Sequence, residues 1–466
     1  MQVMIDLILL KYPITISGNS FPSKIRFFII PLLIFVLSLD SPAAVNSEPT
    51  IIDTVIIKGN RVTKDFVILS EMSLKVGVEA TDEAIAWDKG RLESLRLFTR
   101  ATLELEKING LNALVVDVTE LWYIWPGLIF DLDENNPERY AYGVILSHDN
   151  FRGRRDLLSI NARIGYVTGF QLDWKIPYIT MNRPDLSISF RAKMITENEP
   201  RYILGRDDVK TEEKSFQLRF SKRMDLEKSV WVSYKIIERV FKHEDDDNLL
   251  IPSLREASTI MSGSLGFTFD TRSYRPWPDD GFNMSISVGG GVDVNDPKTS
   301  FFSPVVELST FYSPIREFYL VGYVEGSLLA GSLPPFQRLL LDGDNGLRSS
   351  VPESFSGTRR LNGTFEIRKD LIPITYITMR SLPFVQPYTK DIKTGLSLSI
   401  FSDAGIIGGD PSEDAVVTGE DRWEVAYGLG LVIHVPYRDL IRLEVARSAR
   451  YPSEGILLRA RIGTSF

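Results

Sequence analysis

The chain contains no cysteine and only three histidines, His148, His243 and His434, in 466 residues. The first absence excludes a disulfide scaffold and a thiolate metal site. The histidines are too scattered for any pair to have metal-ligand spacing. Excess positive charge is missing too. The formal net charge is −8, which argues against a general nucleic-acid binder. No Gly-x-Ser-x-Gly nucleophile elbow occurs, so a lipase-type domain is not expected. No motif implies a cofactor, and no catalytic residue is assigned. Long apolar runs are nearly absent as well. The one strongly apolar stretch spans residues 27–39, with Lys24 and Arg26 before it and Ser41-Pro42-Ala43-Ala44 after it. With Pro31 inside, it falls short of the roughly 20 residues a membrane-spanning helix needs. A basic flank, a short apolar centre and small residues beyond fit a cleaved secretory signal within residues 1–44, an uncleaved anchor helix being the alternative. Residues 1–23 exceed what such a signal needs, which an early assigned start codon would explain.

What the chain does have is alternation. In the last nine residues Leu458, Ala460, Ile462 and Phe466 share one parity, and Arg459, Arg461, Gly463 and Ser465 share the other. A strand sends alternate side chains to opposite faces, so this segment has one oily face and one wet face. A closing strand of a transmembrane β-barrel looks like this, and so does a soluble edge strand. Recurrence separates the two. Leu158, Ile160 and Ala162 alternate with Ser159, Asn161 and Arg163, and Leu186, Ile188 and Phe190 with Ser187, Ser189 and Arg191. The pattern returns at residues 216–221, 282–288, 361–367, 395–400, 425–435 and 441–445. Many runs reach the roughly 9–11 residues that a tilted strand needs to cross a bilayer. The fold class expected is mostly β, with about 16 antiparallel transmembrane strands over residues 122–466. An overall hydropathy near zero fits, because only every second strand residue meets lipid.

Residues 50–121 have a different texture. Residues 54–57 read as a strand, Gly59-Asn60 as a turn, and residues 63–72 as a helix that Gly77 ends. Thr81 or Asp82 can cap a second helix in which Ile85, Leu92 and Leu95 share a face. Two more strands follow at residues 100–106 and 113–119. The order strand, helix, helix, strand, strand makes a small α+β domain.

These residues carry a family resemblance. Ile52, Val55, Ile57, Gly59-Asn60, Ile68, Gly77, Leu97-Phe98, Val116, Val118 and Glu120 resemble a POTRA domain. Asp149-Asn150-Phe151 with Gly153, Phe269-Asp270-Thr271-Arg272, Phe401-Ser402-Asp403-Ala404-Gly405 and Ile462-Gly463-Thr464-Ser465-Phe466 resemble successive barrel segments of the BamA/TamA outer-membrane assembly family. The resemblance implies an outer-membrane barrel with the small domain in the periplasm. It implies a non-enzymatic role in inserting or translocating other proteins. Partners would be outer-membrane lipid and client or partner proteins, engaged by strand addition to the small domain and by a seam between first and last barrel strands. Phe466 would be the assembly signal. A passive porin or transporter, or a lipid-handling barrel, is the alternative. A barrel enzyme would need a serine or acid beside a histidine such as His434.

With sixteen strands starting in the periplasm, Pro177, Pro314, Pro373 and Pro436 fall at the ends of even-numbered strands, where proline stops a ladder. The longer connections, residues 196–210, 239–258 and 331–357, then lie outside the cell. In the resembling family the longest one folds back into the lumen, where its tip arginine meets carboxylates on the twelfth and thirteenth strands. Here that loop holds Gly343, Gly346 and Arg348, and parity turns Glu366 and Asp403 inward. The family's glycine and aromatic after the arginine are replaced by Ser349 and Ser350, which implies a looser dock.

Overall fold

The computed structural model describes residues 50–133, 136–198, 210–242, 257–334, 336–341, 346–348, 355–378, 390–409, 421–435 and 439–462. The small N-terminal part comprises β1 (Thr50–Ile51), β2 (Thr54–Lys58), α1 (Asp65–Leu69), β3 (Glu79–Ala80), α2 (Asp82–Ser94), β4 (Phe98–Ile108) and β5 (Leu111–Glu120). β5 is the central strand of a three-stranded sheet, parallel to β2 and antiparallel to β4. Ile52, Val67, Ile68, Leu92, Leu97, Leu114 and Val116 form its core. α1 covers only five residues of the ten-residue pattern at 63–72. α2 starts at Thr81, whose hydroxyl accepts from the Ala84 amide at 3.2 Å, an N-cap that satisfies one orphan donor. Its apolar stripe is weak for a physical reason. One face packs on the sheet through Leu92, while Gly90, on another, lies so close to Ser273 that an added Cβ would stand 3.0 Å from it.

From Ile124 onward the chain forms one closed antiparallel barrel. Its strands are β6 (Ile124–Asp133), β7 (Asn136–Phe151), β8 (Asp156–Gly165), β9 (Val167–Ile176), β10 (Leu186–Asn198), β11 (Lys210–Arg223), β12 (Lys228–Lys242), β13 (Ala257–Asp270), β14 (Gly281–Asp293) and β15 (Asp296–Ile315). Then come β16 (Phe318–Leu328), β17 (Ala330–Ser332), β20 (Arg359–Ile377), β21 (Ile392–Gly408), β22 (Arg422–Val435), β23 (Asp439–Ser448) and β24 (Leu457–Ile462). β16 and β17 follow one another along β15, so they make one crossing and the barrel has sixteen. β20 and β21 are therefore its twelfth and thirteenth. Between β17 and β20, β18 (Leu339–Leu341) and β19 (Phe355–Gly357) form a separate hairpin that packs against the wall at Ile407.

Register converts parity into two surfaces. Phe220, Val232, Leu265 and Val288 stand in one cross-strand row, and all four are exposed. A continuous exposed apolar band on a closed barrel is a lipid-facing surface rather than a soluble one. The opposite parity, with Ser159, Asn161, Glu213, Ser233, Glu366, Ser397 and Asp403, is buried inside. Pro177 follows β9 directly, and Pro314 lies at the end of β15. Pro373 differs from the expectation. β20 continues past it to Ile377 through register shifts on either side of Ile372, so this proline sits in a bulge, where no ladder amide is required of it. Pro436 is outside the described residues.

Candidate functional site in the lumen and at the barrel mouth

Gly346, Leu347 and Arg348 enter the lumen from the β18–β19 connection. Gly346 has φ +103°, and a Cβ there would strike the Asn362 side chain, so only glycine fits without a shift. Leu347 is fully buried with Leu341, Phe355 and Ile407. This apolar anchor delivers Arg348 to the wall. Its Nε and Nη2 donate to the two oxygens of Asp403 at 3.0 and 2.8 Å, a bidentate pair. Its backbone amide donates to Asp403 at 3.0 Å, and Nη1 donates to Glu366 at 2.9 Å and Glu444 at 3.1 Å. The guanidinium lies 3.5 Å over the Phe401 ring. Planarity lets one group make the fork and the stack together.

The structure thus brings Arg348, Glu366 and Asp403 together, and it adds groups beyond those three. Arg442 Nη2 donates to both oxygens of Glu366 at 2.9 and 3.0 Å, and Arg368 Nε donates to Glu366 at 2.8 Å. Thr364 donates to Asp403 at 2.9 Å. Three arginines and three carboxylates, all nearly buried, balance one another, as buried charges must. Strand parity turns Arg368, Phe401, Arg442 and Glu444 inward. What the sequence does not carry is the shear that brings β23 opposite β20 within reach of one loop residue.

Gly343, Gly463 and Phe466 lie outside the described residues, as do Ser349 and Ser350. Ile462 pairs with Ile441 at the end of β24, and the closed order places β24 beside β6. His434 is buried, with its ring edge-on to Trp277 at 5.1 Å. Its Nε2 is 3.3 Å from the Ser397 hydroxyl, but that hydroxyl donates to Asp370 at 2.6 Å. The serine proton is therefore directed to the carboxylate and away from the imidazole, the reverse of what nucleophile activation requires.

At the short-turn end the small domain caps the barrel mouth, with Glu71 at the centre of the contact. It accepts from Arg91 at 2.8 Å and from the Tyr178 hydroxyl at 2.8 Å, and it pairs with Arg223. Burial alone would raise its carboxyl, but Arg223, Arg155, Arg91 and Tyr178 outweigh burial and hold it at about 2. Around the rim, Lys393 donates to Glu93 at 2.6 Å, Tyr376 to Glu93 at 2.7 Å, and Ser94 to the Ser273 carbonyl at 3.0 Å. The Lys64 amide donates to the Gly153 carbonyl at 2.9 Å. Gly59 has φ +86° with the Val118 carbonyl against its Cβ position. Asn60 donates to the Thr63 carbonyl at 2.9 Å and to Asp65 at 2.6 Å. The pair therefore fixes the turn that presents Thr63, whose hydroxyl meets Tyr123 and Asn150 at 3.0 Å.

Comparison with known proteins agrees with this architecture. Residues 150–466 match the Omp85 superfamily domain. The outer membrane protein assembly factor BamA of Nitratidesulfovibrio vulgaris is 23% identical over 397 residues, covering 84% of this chain. The chain spans about half, 47%, of that curated relative's length. Among solved structures, CdiB from Escherichia coli superposes with a TM-score of 0.57 at 11% identity, covering 96% of this chain and 94% of that one. CdiB from Acinetobacter baumannii gives 0.53 at 15% identity, covering 86% and 70%. BamA from Haemophilus ducreyi lacking POTRA domains 1–3 gives 0.50 at 14% identity, covering 86% and 81%. With more than half its length matched by the family domain and a sixteen-crossing barrel to carry it, this chain belongs to the Omp85 superfamily of outer-membrane β-barrel proteins.

Proposed function

We propose that this protein assists the insertion or translocation of other proteins at the outer membrane, with residues 50–121 acting as a POTRA-type domain in the periplasm. The observation that carries the reading is the edge of the small sheet. β5 occupies the centre, and β2 has a strand partner on one side only among the described residues. An unpaired strand edge is a template for adding an extended segment through main-chain hydrogen bonds, which tolerates many client sequences. The turn after β2 lies beside the start of β6, where Gly59, Val62 and Ile124 line one cavity, so a segment held on β2 would be presented near the strand that meets β24. The family relatives support this reading, since the curated one is described as an assembly factor. A passive porin, transporter or lipid-handling barrel would leave a free edge strand without a use. The Arg348 cluster fills part of the lumen, which also suits a scaffold better than an open channel.

The test is site-specific photocrosslinking in cells from Val55 and Ile57 on β2, with Lys107 on β4 as a reference. Crosslinks to unfolded outer-membrane or secreted proteins from β2 support the proposal. A steady conductance unchanged by deleting residues 51–121, with no crosslinked clients, would move the assignment to the porin class.

A further inference from the structure

Strands β8 to β13 and the docked small domain, through Glu71 and Arg91, surround a second, half-open cavity of about 640 Å³ lined by none of the residues around Arg348. Its size falls within the roughly 300–1,000 Å³ of small-molecule sites. Most charges lining it are spoken for. Asp173 is paired with Arg191 at 2.5 Å, and Asp270 with Arg272 and Arg275 at 2.8 Å. Glu71 is held by Arg91 and Arg223. Lys175 and Arg219 differ. Both line the cavity, and neither has a carboxylate within ion-pair distance among the described residues. Lys175 has Arg155 and Arg275 as cationic neighbours, and Arg219 has Arg191. Lys175 is exposed to this cavity and Arg219 half-buried, and two cations without a carboxylate partner facing one cavity attract an anion there.

Register places these two cations in one row. Lys175 on β9 is opposite Ser189 on β10, and Ser189 is opposite Arg219 on β11. Ser187 and Ser221 form the neighbouring row and also line the cavity. Adjacent strands lie about 4.8 Å apart, so the two cationic stems rise roughly 10 Å apart with a hydroxyl between them. Arg219 is held in position, its guanidinium 4.1 Å over the Trp231 ring. Trp231 in turn lies against Gly266, where a Cβ would strike the indole. A ligand that meets an ammonium, a hydroxyl and a guanidinium together needs several acceptors pointing in different directions. A carboxylate offers two coplanar oxygens and one charge. A phosphate monoester offers three terminal oxygens and a charge of about −1.5 to −2 at neutral pH, matching the two cations.

We propose that Lys175, Ser189 and Arg219 form a lumenal binding site for a phosphate-bearing group. The site is independent of whether the protein's clients are proteins. The phosphate can belong to a free small molecule or to a lipid headgroup, and the experiment separates these. The folded full-length protein in neutral detergent is titrated at low ionic strength by calorimetry, first with inorganic phosphate and then with a short-chain phosphatidic acid. Saturable binding is expected. It should weaken about tenfold or more in the Lys175→Gln/Arg219→Gln variant and by a smaller factor in Ser189→Ala, the scale of losing charge-assisted hydrogen bonds. It should be unchanged in Lys242→Ala, whose ammonium pairs with Glu212 at the far end of β12. Tighter binding of phosphatidic acid assigns the site to headgroups, and equal or weaker binding assigns it to free phosphate. Tryptophan emission gives a readout in the otherwise native chain, because phosphate drawing on Arg219 changes the environment of Trp231. That change should vanish in Trp231→Phe. Absence of saturable binding of both probes, or undiminished binding in the double variant, overturns the proposal.

Discussion

Arg348 is where local chemistry and the lumen meet. Replacing it with alanine removes the cation from three carboxylates, leaving Arg368 and Arg442 to face Glu366, Asp403 and Glu444. One carboxylate must then hydrate or take up a proton. Breaking a buried pair in this way costs roughly 3–5 kcal/mol. We expect Arg348→Ala to form a heat-modifiable barrel in which residues 331–357 become newly cleavable by protease. Arg348→Lys should restore protection only in part, because an ammonium cannot fork to Asp403 while stacking on Phe401. Equal protease resistance in both variants and the parent chain would refute the tether. Gly346→Ala should act in the same direction more weakly, since the loop must move off Asn362 to admit the methyl group. The inward parity of Glu366 and Asp403 was legible from single strands, and Arg348 came from resemblance. Glu444 and Arg442 were not singled out, since alternation gives the face a residue occupies but not its height in the barrel.

At the scale of elements, the docking of the small domain depends on the charge of Glu71. Its carboxyl is depressed to about 2 from the ordinary 4.5 in the docked state, and undocking removes Arg223, Arg155 and Tyr178 from the groups that hold it down, leaving Arg91. A depressed carboxyl contributes stability that is fully present above the undocked value and is lost as pH falls through the docked one. Docking should therefore weaken between about pH 4.5 and 2, by up to about 3 kcal/mol. The distance between spin labels placed on α2 and on the 271–275 segment, measured across pH, reads this directly. Glu71→Gln should show loosened docking already at neutral pH and a flatter profile. A label separation independent of pH in the parent chain would count against Glu71 as the clasp. Element boundaries in the small domain were largely visible in the sequence, whereas α1 proved shorter than its pattern. The chain after it, from Glu71 through Leu74, turns to meet the barrel and α2, so tertiary contact overrides local helical preference. The second face of α2 was not legible either. Gly90 and Trp87 look like ordinary helix residues until Thr271 and Ser273 lie against them.

For the whole molecule, period-two alternation was enough to indicate a barrel, because lipid outside and water inside impose one rule on every crossing. The number of crossings was legible for the same reason. The lumen's organisation was not, since it rests on shear and on the path of one long loop. Two outcomes belong at this scale. Deleting Phe466 should reduce the amount of folded, heat-modifiable barrel far more than deleting Asp246, measured by semi-native electrophoresis of outer-membrane fractions. Equal yields would remove Phe466 as the assembly signal. The purified protein should begin near Ala44 and fractionate with the outer membrane. An intact Met1 terminus found by mass spectrometry in the inner membrane would contradict the signal assignment.

The balance of charges around Arg348 has a consequence for the order in which the protein folds. Its carboxylates arrive from β20, β21 and β23, and Glu444 lies 96 residues beyond Arg348 in the chain. Contacts of such long sequence separation form late, because the loop between them must be closed first. Until β23 is in place, Arg348 has two of its three acidic partners, and Glu366 lacks Arg442. The tip of the loop therefore locks only when the fifteenth crossing has joined the wall. Pulse proteolysis during refolding should find the 331–357 segment protected only after β20 to β22, together with β23, a chemical record of the moment the barrel is nearly closed.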